Sequence, residues 1–88
     1  MSSAPPPLRI RVLLFASYAD LVSREEVEVL VPSPATVADV IARLRADVPG
    51  AHRLPDRPLA AVNQVHGRLT DPVADRDEVA LLPPMAGG

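Results

Sequence analysis

Between residues 8 and 15 the chain alternates with a period of two. Leu8, Ile10, Val12 and Leu14 fall on one side, and Arg9, Arg11, Leu13 and Phe15 on the other. This predicts a strand whose first set faces a core, with an opposite face that starts charged and ends apolar. Residues 16–24 read as a turn or a single helical turn. Residues 26–31 alternate again, with Val27, Val29 and Val31 on one side and Glu26, Glu28 and Leu30 on the other. The short connection predicts an antiparallel hairpin, and Pro32 and Pro34 end it by removing backbone donors.

The period then changes. Val37, Val40, Ile41, Leu44 and Val48 recur at helical spacing and form one apolar stripe, predicting a helix over residues 36–48. Thr36 is placed to cap its N-terminus, with Asp39 as the reciprocal acceptor of a capping box. Pro49 and Gly50 supply a stop. Arg43, Arg45 and Asp47 lie off the stripe, on a solvated face. Residues 51–58 read as an irregular loop, 59–62 as a short strand, 63–67 as a turn and 68–70 as a shorter strand. Residues 78–82 form the last strand, with Val79 and Leu81 on one face and Ala80 and Leu82 on the other.

One amphipathic helix across a mixed sheet of four or five strands satisfies this order. The fold class expected is therefore α+β, a β-grasp arrangement as in ubiquitin, with the helix on one face. The first and last strands would lie side by side in the middle of the sheet. The domain spans residues 8–82, preceded by a Pro-rich segment, residues 1–7, that is expected to be disordered.

After Leu82 the pattern ends. Pro83 and Pro84 cannot continue a sheet ladder, and Met85, Ala86, Gly87 and Gly88 complete the sequence. Residues 83–88 are expected to form a flexible tail. Six extended residues reach about 20 Å, enough to enter the active site of another protein. Terminal glycines without Cβ atoms would let a carboxylate pass through a narrow channel. The candidate reactive group is the Gly88 carboxylate. Leu13, Phe15, Ala80 and Leu82, on one face of two neighbouring strands, are the candidate partner-binding patch.

Composition narrows the chemistry. The 88 residues carry a net charge of −2 and no cysteine, and only Phe15 and Tyr18 are aromatic. A disulfide scaffold, a thiolate metal site and a cysteine nucleophile are excluded. His52 and His66 are isolated on expected loops, so no metal site is expected. Neither a basic patch nor aromatic stacking platforms favour nucleic acid, and no apolar run approaches a membrane span. Without a signal-peptide pattern at residues 1–7, a cytoplasmic location is expected. All nine basic residues are arginine, so no side-chain amine is available for acylation. No Ser/His/Asp, Cys/His or paired-carboxylate constellation suggests independent catalysis.

Several short pieces carry a resemblance: Val12-Leu-Leu-Phe-Ala16, Thr36-Val-Ala-Asp-Val40, Ala61-Val-Asn63, Asp77-Glu-Val-Ala80, and Pro83-Pro84 followed by Gly87-Gly88. Together they span almost everything after Pro7. On these the chain resembles the small subunits of molybdopterin synthase, within the MoaD/ThiS-like sulfur carriers of ubiquitin fold. Met85-Ala86 stands where relatives often have Val then Ser or Thr. The segment after Ala16 lacks the Arg-Glu commonly found there.

The resemblance implies a carrier that holds no cofactor of its own. A ubiquitin-activating-like adenylyltransferase would use ATP to convert Gly88 to an acyl adenylate. A sulfur donor enzyme would then displace AMP and leave a thiocarboxylate. The tail would enter the molybdopterin synthase large subunit, which carries the catalytic groups, and give its sulfur to cyclic pyranopterin monophosphate. A carrier for thiamine, cysteine or tRNA thiolation is the nearest alternative. A ubiquitin-like protein modifier and a plain interaction module with an incidental Gly-Gly end are the others.

Overall fold

The alternating segments become strands because their inward residues can all meet one helix. A computed structural model describes residues 5–84. The expected disorder of residues 1–4 and the tail positions Met85, Ala86, Gly87 and Gly88 lie outside the described residues. Strands β1 (Leu8–Leu14), β2 (Glu26–Val31), β3 (Ala35–Thr36), β4 (Leu59–Val62), β5 (Val65–Gly67), β6 (Pro72–Val73) and β7 (Glu78–Leu82) alternate with helices α1 (Ser17–Val22) and α2 (Val37–Asp47). The main sheet has the order β2-β1-β7-β4-β5. β1 pairs antiparallel with β2 and parallel with β7, and β4 is antiparallel to both β7 and β5. The first and last strands thus lie side by side with β7 central, in the β-grasp arrangement expected of the sequence.

α2 covers one face of this sheet. Val37, Val40, Ile41 and Leu44 are buried against Ile10, Val12, Leu14, Val29, Val79 and Leu81, and none of these residues is more than 4% exposed. The capping box is formed in both directions: Asp39 N–H donates to Thr36 Oγ1 at 3.3 Å, and Thr36 N–H donates to Asp39 Oδ2 at 2.9 Å. Two of the helix's orphan donors are satisfied this way. Among the described residues, no helix is long and apolar enough to cross a membrane.

The connections differ from expectation in four places. Residues 16–24 contain the six-residue helix α1, because Tyr18 and Val22 are buried and give it a core-facing side. Residues 51–58 begin with a 3-10 turn at Ala51–Arg53 that buries Ala51, and Leu54 follows it into the core. The short strand expected at residues 68–70 is instead β5, Val65–Gly67. Asn63 and Gln64, with φ of 50° and 72°, form a two-residue hairpin turn and bring the return strand forward. Finally, β3 and β6 make a separate two-stranded ladder that leads into α2.

Gly50 fixes how α2 is followed by the 3-10 turn. Its φ is +86°, and an added Cβ would stand 2.5 Å from the Leu21 carbonyl oxygen of α1. Only a residue without a side chain meets both conditions.

Candidate functional site

The face of the sheet opposite α2, uncovered among the described residues, holds the predicted patch. β1 and β7 bring Leu13 directly beside Ala80, and β4 places Ala61 on the other side of Ala80. Leu13 is half-buried, while Ala80, only 7% exposed, forms the floor between its neighbours. One step towards the end of the sheet, Leu82 pairs with Leu59. Phe15, directly after β1, stands at this same end and is 44% exposed. Leu13, Ala80 and Leu82 therefore share one face, and Phe15 stands at its end.

Leu59, 48% exposed across from Leu82, belongs to the same apolar row and was not singled out from the sequence. Its alternation with Ala60 could have placed it on a face. Which face it shared with Leu82 depends on the β4–β7 register, which is a long-range property.

Below the apolar rows the face turns polar. Arg11 Nη2 donates to Glu78 Oε1 at 2.6 Å, and Arg11 also lies 4.0 Å from Glu26. Arg9 lies 3.9 Å from Glu28. The two longer pairs are exposed and add little stability, and with the partly buried Glu78 they give the apolar patch a charged border on one side.

β4 and β7 are held in register by a polar clasp at the end of β7 opposite the patch. Asn63 Nδ2 donates to Asp77 Oδ1 at 3.0 Å, and Glu78 N–H donates back to Asn63 Oδ1 at 3.0 Å. Asn63 N–H also donates to the Glu78 carbonyl at 2.8 Å. Asp77 accepts the Ala74 N–H at 2.8 Å through its other oxygen. The Ala61-Val-Asn63 and Asp77-Glu-Val-Ala80 pieces, separate in sequence, are thus two halves of one contact. It fixes where β7 starts, and hence where Pro83 and Pro84 leave the sheet.

At its far end, β7 delivers the chain from the centre of the sheet, beside Phe15, Leu59 and Leu82. Pro83 is half-buried and Pro84 exposed, both without regular structure. The predicted tail positions Met85, Ala86, Gly87 and Gly88 lie beyond the described residues. An apolar surface next to a departing chain is suited to gripping a partner that accepts the tail.

Comparisons with known proteins agree with this architecture. The sequence pattern of the ThiS family matches residues 12–88. The molybdopterin synthase sulfur carrier subunit of Escherichia coli is 40% identical, over 90% of this chain and 99% of that protein. The crystal structure of the small archaeal modifier protein SAMP1 from Haloferax volcanii is 30% identical. It covers 91% of this chain and 99% of its own with a TM-score of 0.79. A complex of subunits 1 and 2 of the molybdopterin-converting factor from Helicobacter pylori contains the same fold. There the identity is 22% and the TM-score 0.63, over 92% of this chain and 100% of that one. With a family pattern running through nearly the whole domain and a relative matched from end to end, the chain belongs to the ThiS family.

Proposed function

We propose that this chain is the sulfur carrier of a molybdopterin synthase, with Gly88 as the reactive terminus. The observation that carries the reading is the end-to-end match to the Escherichia coli sulfur carrier subunit. The geometry supports it: a central strand delivers Pro83 and Pro84 beside an apolar patch, and the sequence continues to Gly87-Gly88. A carboxylate is a poor electrophile. Attack of the Gly88 carboxylate on the α-phosphorus of ATP expels pyrophosphate and makes an acyl adenylate. The terminal sulfur of a donor persulfide then attacks the carbonyl and AMP leaves, and a second donor thiol cleaves the S–S bond of the resulting acyl disulfide, releasing the thiocarboxylate and leaving a disulfide on the donor.

The thiocarboxylate is then presented to the large subunit, where it gives sulfur to cyclic pyranopterin monophosphate. Leu13, Phe15 and Leu82, with Ala80 as floor, dock that subunit while Pro83, Pro84, Met85, Ala86 and Gly87 thread Gly88 into its site. The adenylyltransferase and the sulfur donor are separate enzymes, and no cofactor belongs to this chain.

Reconstitution tests the reading. The chain, its adenylating enzyme, ATP, a sulfur source and the large subunit should convert cyclic pyranopterin monophosphate to molybdopterin. Deleting Gly88 should abolish conversion without changing the fold. Conversion by the shortened chain would refute the assignment.

A second reading has its own observation. The likeness to SAMP1 in both sequence and fold supports a ubiquitin-like modifier, whose chemistry begins with the same adenylate. Without a lysine, such a modifier would not build side-chain-linked chains of itself. Isopeptide-linked adducts on other proteins in the native cell, lost on deletion of Gly88, are its signature.

A further inference from the structure

Beside the apolar patch, the end of β1, the start of α1 and the start of β2 enclose a cleft of about 370 Å³. Leu13, Phe15, Ala16 and Ala19 give it apolar walls, and Glu25 and Glu26 stand at its acidic side. Leu13 and Phe15 therefore belong to both the patch and the cleft. The cleft also lies at the end of the sheet from which the tail departs, since Leu14 and Leu81 are paired there.

The carboxylates are not committed elsewhere. Among the described residues Glu25 has no ion pair. Glu26 has only Arg11 at 4.0 Å, and Arg11 makes its short contact with Glu78 at 2.6 Å. Arg24 lines the neighbouring hollow with Asp20, Ser23 and Glu25, so that Glu25 stands on the ridge between the two, and among the described residues Arg24 forms no ion pair with Glu25 or Glu26. Both glutamates are exposed.

The turn that opens the cleft is strained. Ala16 has φ 51° and ψ −129°, a conformation that a residue with a Cβ rarely takes. Such outliers concentrate where function over-determines the backbone. Here the sharp turn leads the chain from Phe15 into α1, so that Phe15 forms one wall and Ala19 another.

Apolar walls with carboxylates on one side match one type of side chain. A long basic residue can lay its methylenes along Leu13, Phe15 and Ala19 and carry its charge to Glu25 and Glu26. Arginine suits two carboxylates better than lysine, because its planar fork donates in two directions. We infer that this cleft receives an arginine side chain of the large subunit, the same partner that accepts the tail. The inference rests on the carrier reading above and adds a specificity contact to it. The apolar patch supplies contact area, and the arginine in the cleft sets register relative to the tail.

The test measures Kd for the large subunit encoded in the same genome, at several salt concentrations. Wild type is compared with Glu25→Gln, Glu25→Arg, Ala19→Leu and the remote control Asp56→Asn, with folding checked by circular dichroism and melting. Glu25→Gln should raise Kd at least about tenfold and flatten its salt dependence, as for a charge pair desolvated on docking. Glu25→Arg should raise Kd further, and Ala19→Leu should raise it by filling the cleft with no change of charge. Asp56→Asn should leave it unchanged. Charge reversal of one arginine on the large subunit should restore binding to Glu25→Arg. If wild type binds and Glu25→Gln binds equally well with the same salt dependence, the cleft is overturned and the carrier reading stands. If wild type does not bind at all, both are overturned together.

Discussion

Leu44 is the most direct mechanical test of how α2 sits on the sheet. Its side chain is fully buried, in the same cluster as Val40, Ile41, Val12 and Leu81. Replacing it with alanine removes three carbon atoms from the middle of the stripe while keeping helix propensity. Sheet and helix frame the site from opposite sides, so little collapse is available. The cost should lie in the upper part of the range for buried leucines, about 3–5 kcal/mol. A chain of 88 residues has a total stability of about 4–13 kcal/mol. At roughly 4–8 °C per kcal/mol for a domain of this size, Tm should fall by at least about 12 °C. Thermal unfolding followed by circular dichroism reads this, with the exposed Leu30→Ala as a control expected within about 0.5 kcal/mol of wild type. A fall for Leu44→Ala of less than about 4 °C would show that this side chain does not fill the interface between helix and sheet.

Three further outcomes follow from particular residues. Ala16→Gly should raise Tm, because relief of a strained positive φ worth about 1–3 kcal/mol exceeds the added unfolded-state entropy. A fall in Tm would contradict the strain. Thr36→Ala should cost about 1 kcal/mol by removing the Oγ1 acceptor of the capping box, and urea titration giving an unchanged midpoint would show that the cap contributes nothing. Leu82→Asp should keep most of its melting behaviour and lose binding to the large subunit, since a half-buried position at the end of the central strand leaves the new charge access to water in the free chain, whereas docking would bury it unpaired. Retained affinity would remove Leu82 from the docking patch.

The main elements were legible because each is local. The two-residue period of Leu8–Leu14, Glu26–Val31 and Glu78–Leu82, and the helical spacing of Val37, Val40, Ile41 and Leu44, need no knowledge of the rest of the chain. The β3–β6 ladder was not legible because it depends on partners far away in sequence. β3 and β6 are two residues each and exist only by pairing with each other. The Asn63-Gln64 turn lacks the glycine that usually announces a two-residue hairpin, so the sequence pattern puts the return strand at residues 68–70, three residues later than β5 begins. The patch was half legible: alternation put Leu13 and Phe15, and Ala80 and Leu82, on common faces. Leu59 joined them only through the β4–β7 register. The cleft beside Glu25 was not legible, because it is made where three elements meet.

The claim on which the rest depends is that Gly88 becomes a thiocarboxylate. Intact-mass analysis of the protein isolated from its native cell, with its sulfur-transfer enzymes present, measures this directly. A fraction of the chain should be heavier by the difference between sulfur and oxygen, with fragmentation placing the increase on Gly88. That increase should vanish from cells lacking the adenylating enzyme. Finding only the unmodified carboxylate, with no heavier fraction, in cells actively making molybdopterin would contradict the account.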